Sequence, residues 1–183
     1  MKNILQVNLL AIVVTIIFFS NTPAQSGFGV GGYLGGGVIS GDSPNQSAFT
    51  SSVFFEFKTP FSDNILPRIS FFYAQDFHRL LPESTNKYFP FLKGISFKGV
   101  ASQRVSENYF VEEGAGFIAI NDRTFTDVNE WNYGVVSSII AGFDFRKSNN
   151  TGFRLGGGME FAFSFANTFA KYFSFHIQGE YVF

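Results

Sequence analysis

From Phe173 onward, Phe173, Phe175, Ile177, Gly179, Tyr181 and Phe183 alternate with Ser174, His176, Gln178, Glu180 and Val182. Successive side chains on a strand point to opposite faces, so this is a strand with one aromatic-aliphatic face and one largely polar face. The segment before it repeats the pattern. Phe153, Leu155, Gly157, Met159, Phe161, Phe163 and Phe165 face away from Arg154, Gly156, Gly158, Glu160, Ala162 and Ser164. A short connection, 166–170, makes the two a hairpin. Upstream, Tyr133, Val135, Ser137, Ile139, Ala141, Phe143 and Phe145 oppose Gly134, Val136, Ser138, Ile140, Gly142, Asp144 and Arg146, and Lys147-Ser148-Asn149-Asn150 is a polar turn into the next strand.

Further strands are expected near 27–39, 49–58, 68–77, 91–101 and 109–120, which brings the number to eight. Val53, Phe55 and Phe57 oppose Ser52, Phe54, Glu56 and Lys58; Ile69, Phe71 and Tyr73 oppose Arg68, Ser70, Phe72, Ala74 and Asp76. The fifth strand stays open in phase, because one of Glu112 and Glu113 falls on the apolar face either way. A bulge, or a place near a membrane edge, would accommodate it. Connections 40–48, 78–90 and 121–132 are expected to be longer than 59–67, 102–108 and 147–151. That asymmetry suits external loops and internal turns in a barrel with both termini inside.

Met1-Lys2-Asn3 opens the chain with a positive charge, and Leu9 to Phe19 is apolar but for Thr15. Thr22 and Ala24 are small residues spaced for signal peptidase. Ile4 to Phe19 falls short of the roughly 20 apolar residues of a spanning helix. The expectation is a cleavable signal peptide, 1–24, followed by a single barrel domain, 25–183.

Two all-β forms fit such alternation: a soluble barrel with its apolar face inside, or a membrane barrel with that face outside. The chain has 27 phenylalanines in 183 residues, and only 15% of its residues are charged. An eight-stranded interior has just enough room for ordinary side chains, and rows of phenylalanine would not fit. Facing water, they would form apolar patches far beyond those of soluble monomers. Lipid accommodates them, and the charges must then point inward and pair. The fold class expected is therefore all-β, an eight-stranded antiparallel transmembrane β-barrel. The net charge of −1 gives no footprint for nucleic acid. The absence of cysteine excludes disulfides and thiolate chemistry.

The ending Tyr181-Val182-Phe183, closing an aromatic-alternating strand, resembles the C-terminal assembly signal of bacterial outer-membrane β-barrel proteins. With the leader and the eight-strand layout, the mature chain resembles the small, porin-like outer-membrane barrel family. The family pattern often has glycine five residues before the end; here Gln178 holds that place and Gly179 follows. The resemblance implies export, a bacterial outer-membrane location, outer-membrane lipid around the barrel, and insertion by the barrel-assembly machinery reading Tyr181 and Phe183.

Among candidate functional residues, Glu56, Arg68, Asp144, Arg146, Arg154, Glu160, His176 and Glu180 are expected to form a polar network plugging the lumen. Asp122, Arg123, Asp127, Glu130 and Trp131 lie in the expected third external loop, where an extracellular partner would bind. Trp131, Tyr133, Tyr172 and Tyr181 read as interfacial belt residues. Calcium at Asp122, Asp127 and Glu130 lacks EF-hand spacing, so neither metal nor cofactor is expected. Gly27-x-Gly29-x-x-Gly32 matches a dinucleotide fingerprint only literally, without the preceding strand that mechanism needs. Gly31, Gly35 and Gly37 are better explained as clearing a narrow lumen. Asp76 and His78, with Glu83 beyond, could serve an outer-rim enzyme, but no second catalytic set accompanies them. The function expected is non-enzymatic: a monomeric barrel acting in envelope structure, or in surface adhesion or binding through its loops. The alternative is porin-like passage or binding of a small molecule, polar or apolar.

Overall fold

The computed structural model describes residues 27–41, 43–59, 65–80, 88–125, 127, 129–146, 151–166 and 169–183. The expected signal peptide and Glu83 lie outside the described residues. The eight strands are β1 (Phe28–Ser40), β2 (Gln46–Phe57), β3 (Ile65–Asp76), β4 (Phe91–Ser106), β5 (Tyr109–Arg123), β6 (Glu130–Asp144), β7 (Gly152–Ser164) and β8 (Lys171–Val182). Each pairs antiparallel with its sequence neighbours, and β1 pairs antiparallel with β8, closing the barrel.

Several strands outrun their apolar stretch. β4 and β5 form one long hairpin turning at Glu107-Asn108, so most of 102–108 is strand rather than loop. Likewise 121–123 and 130–132 extend β5 and β6. A hydrogen-bonded ladder needs only backbone partners, so it continues where side chains turn polar. Between β3 and β4 the connection stays long, and it begins with a 3-10 turn, Phe77–Leu80.

Strand register fixes the barrel's shape. From Ile65 on β3 the partners run Ala101, Glu113, Ile139, Met159, Phe175, Gly36 and Phe49, returning to β3 at Gln75, a stagger of 75 − 65 = 10 residues. Such a stagger over eight strands tilts them by about 35–45° and leaves an interior that side chains can fill. The start of β1 and the end of β8 lie at one end, where the Phe183 N–H donates to the Phe28 carbonyl at 2.9 Å. This is the terminal end; the β1–β2, β3–β4, β5–β6 and β7–β8 connections form the loop end.

The faces sort as a membrane barrel requires. Outward side chains include Phe117, 73% exposed, Tyr133, 76%, and Ile177, 67%. Inward positions are buried whether apolar (Phe54, Leu92, Ile120) or charged (Arg68, Glu112, Glu180). Register also settles the fifth strand. Glu112 points inward and is buried, while Glu113 points outward beside Ala101, whose own β3 partner is Ile65, the first residue of that strand. Glu113 thus sits toward the terminal end. The ladder's irregularity lies elsewhere, between Arg104 and Ser106. At Gly31 an added Cβ would collide with the ring of Phe54, and at Gly37 with the carbonyl oxygen of Phe173. At Gly35, too, an added Cβ would collide with a neighbouring backbone, the carbonyl oxygen of Phe175.

Candidate functional site: the lumen and its loop-end mouth

Near the terminal end of the lumen, facing strands contribute an ion-pair lattice. Arg68 donates from Nε (2.8 Å) and Nη2 (2.5 Å) to Glu56, and from Nη2 to Glu112 at 2.8 Å. Arg154 lies 2.5 Å from Glu112, 3.2 Å from Glu180 and 2.9 Å from the Ser102 hydroxyl. Each guanidinium also covers a ring, Arg68 at 4.3 Å over Phe54 and Arg154 at 3.8 Å over Phe110. Glu112 therefore bridges two arginines that do not meet. The Glu56, Glu112 and Glu180 carboxylates converge within 4.8 Å. Guanidinium groups already occupy the positions a cation would take, so this donor set suits ion pairing rather than a metal.

Below the lattice, Asp144 accepts from Arg146 at 2.6 Å and from Arg104 at 3.2 Å. Asp144 holds the Arg146 guanidinium protonated by direct hydrogen bonding, raising its pKa further. Toward mid-barrel, Lys98 pairs with Glu160, which also accepts from Tyr172 and, at 3.0 Å, from Tyr33. His176 stacks on Tyr33 with ring centroids 4.1 Å apart. Its Nε2 has no hydrogen-bond partner among the described residues.

Beyond Glu160 the filling changes character. Ile39, Ala48, Phe72, Ala74, Leu92, Ile118, Ile120, Val136, Ala162, Ala170 and the ring of Tyr172 form one buried apolar cluster. Phe72 stacks on Tyr172 at 4.6 Å. Sequence reading assigned the interior to polar groups and did not foresee this loop-end plug. Tyr172, read as a belt residue, faces inward and is 1% exposed. The ladder explains this correction: Tyr172 lies opposite Ile39 on β1, and both face the lumen. Lys98, Tyr33 and Glu112 were not singled out for the lumen. Lys98 shares parity with Gly94 and Ser96 and opposes Ile95 and Phe97, the one signal that could have revealed it.

The candidate loop residues are not gathered into one site. Asp122 and Arg123 belong to β5, and Glu130 and Trp131 to β6. Asp122 points into the mouth and is buried, accepting from the Thr124 backbone N–H (2.9 Å) and hydroxyl (2.8 Å). Arg123 lies 5.9 Å over the Phe91 ring. Asp127, Glu130 and Trp131 are exposed, as is Phe125. Asp76 accepts from the His78 backbone N–H at 2.9 Å and faces His78 Nδ1 at 2.8 Å, capping the turn that opens the long loop. Tyr181 and Phe183 lie outward in edge-to-face contact at 4.9 Å, and Phe183 meets Phe28 at 5.9 Å across the seam.

No protein-family model and no curated protein matches the chain. Solved structures do match in fold. Neisserial surface protein A (NspA) superposes with a TM-score of 0.69 at 7% identity, over 85% of this chain and 97% of that one. Ail, the attachment invasion locus protein of Yersinia pestis, superposes at 0.50 with 11% identity, over 86% of this chain and 99% of that one. Its complex with the heparin analogue sucrose octasulfate gives 0.50 at 12% identity, over 87% and 100%. With its apolar face turned outward and most of its strand charges within, the chain has the fold of the small eight-stranded outer-membrane β-barrels.

Proposed function

We propose that the protein is an integral bacterial outer-membrane barrel whose lumen is sealed and whose work is done at its outer surface. One observation carries this reading: a continuous apolar cluster, from Ile39 to Tyr172, stacked on the Lys98–Glu160 pair and the Arg68–Arg154 lattice. Water and ions crossing would have to displace packed side chains and separate buried ion pairs, and breaking such pairs is expensive. The loop end then faces outward, where Phe125, Asp127, Glu130 and Trp131 present an exposed acidic and aromatic surface for adhesion or binding. Tyr181 and Phe183, outward at the end of the closing strand, serve as the signal read by the assembly machinery. The first 24 residues act as the cleaved export signal. We take Asp76 and His78 as a loop-capping pair with no catalytic part.

Planar-bilayer recording of the refolded protein tests the central point. A flat current trace is expected at ordinary holding potentials. Discrete, reproducible openings would overturn the sealed lumen in favour of passage of a small molecule.

A further inference from the structure

Along the described strands, outward-facing charges are few and unevenly placed. Lys93 on β4, Arg123 on β5 and Lys171 on β8 point outward near the loop end, while Glu113 does so nearer the terminal end. A cation aimed at lipid is costly at the bilayer midplane and far less so near the interface. Lys93 is exposed, and no acidic side chain among the described residues pairs with it. It stands between Tyr73 on β3 and Asn121 on β5. Two positions beyond Asn121 on the same face comes Arg123, spread over Phe91, which itself lies 5.5 Å from Tyr73. The Tyr88 hydroxyl donates to the Arg123 carbonyl at 2.5 Å and to that of Phe125 at 2.9 Å, tying the strand end to the loop.

Directly beneath these cations runs an apolar groove of about 550 Å³. Its walls are Ile95 and Phe97, which follow Lys93 on the same face of β4, together with Phe117, Tyr133 and Phe165. Its floor is low because Ala119, the outward residue next below Asn121, and Gly134 carry almost no side chain. Phe117 and Tyr133 stand up on either side as the most exposed aromatic residues of the barrel. Positive charge near the loop end and an apolar groove below it lie together on β4, β5 and β6.

We propose that this face seats one membrane lipid bearing a phosphate headgroup, the phosphate held by Lys93 and Arg123 and an acyl chain lying in the groove beneath. Lysine supplies a point charge and arginine a fork that fits phosphate oxygens. The proposal rests on the outward orientation above only for which leaflet supplies the lipid.

The chain's single tryptophan makes the site readable. Trp131 pairs with Asn121, whose partner on β4 is Lys93. The full chain is refolded into phosphatidylcholine vesicles containing a minority of phosphatidic acid, with either lipid carrying brominated chains, and quenching of Trp131 is recorded. Brominated phosphatidic acid should quench several-fold more than its share of the bilayer predicts. A surface cation contributes about 1 kcal/mol toward an anionic lipid. Lys93→Gln or Arg123→Gln should therefore each lower that selectivity about fivefold, while Lys93→Arg keeps it. Ala119→Leu should weaken quenching by phosphatidic acid and leave that by bulk phosphatidylcholine unchanged. Heat-modifiable gel mobility identifies variants that have folded. Quenching in proportion to lipid composition would overturn the proposal. So would an equal loss from Lys171→Gln on β8, which would show only a general surface potential. Channel recordings do not enter, so this test can fail while the sealed lumen stands.

Discussion

At the loop end the lumen is filled by Ile39, Leu92, Ile118, Ile120 and Phe72 against Tyr172, side chains that need no particular partner. At the terminal end the same cross-section is filled by Arg68, Arg154 and three glutamates, each of which depends on the others. An apolar filler loses contacts in proportion to the atoms removed. An ionic filler stripped of one member leaves a buried charge unmatched. The two halves should therefore differ less in how well they fill space than in how they respond to damage.

The largest effect is expected from Arg68→Met, which strands Glu56 and leaves Glu112 with Arg154 alone. Urea unfolding from lipid vesicles should show a loss of about 3–5 kcal/mol. Adding Glu56→Gln should recover part of it, since the unmatched charge and not the missing volume is responsible. No recovery would mean that Arg68 acts mainly by packing on Phe54. In the apolar half, Ile120→Val removes one methylene and should lower stability by about 0.5–1.5 kcal/mol on the same assay. A loss equal to that of Arg68→Met would erase the contrast between the halves. Smallest of all is Arg104→Ala at the terminal rim, where the arginine is 48% exposed and Asp144 keeps Arg146. It should lower stability by about 0.2–1 kcal/mol, fading as salt is added.

How much of this could be read beforehand follows the same division. Where the faces differ sharply, as in 153–165 and 173–183, alternation alone places Arg154, Glu160, His176 and Glu180 on the polar face. Near the loop end both faces become apolar, with Ile118 and Ile120 inward and Phe117 outward on one strand, and parity no longer tells them apart. The plug was hidden for that reason, and Tyr172 was misplaced with it. The adjacent Glu112 and Glu113 could not be separated by composition, because only the partners across the ladder fix depth as well as side. Loop bounds were misjudged through a different cause. Asn121 to Arg123 look like loop because they are polar, yet all three pair with β4, and Asn121 and Asp122 pair with β6 as well.

The seam between β1 and β8 joins Gly29 to Val182, positions 182 − 29 = 153 residues apart. Contacts of such separation are slow to form, because a long chain must be brought together before anything is gained. Until β8 docks, β1 keeps one open edge, and open edges invite pairing with other chains. The first strand to emerge from the ribosome is thus the last to gain both its neighbours. Until that seam closes, the open edge of β1 can complete its pairing with something else.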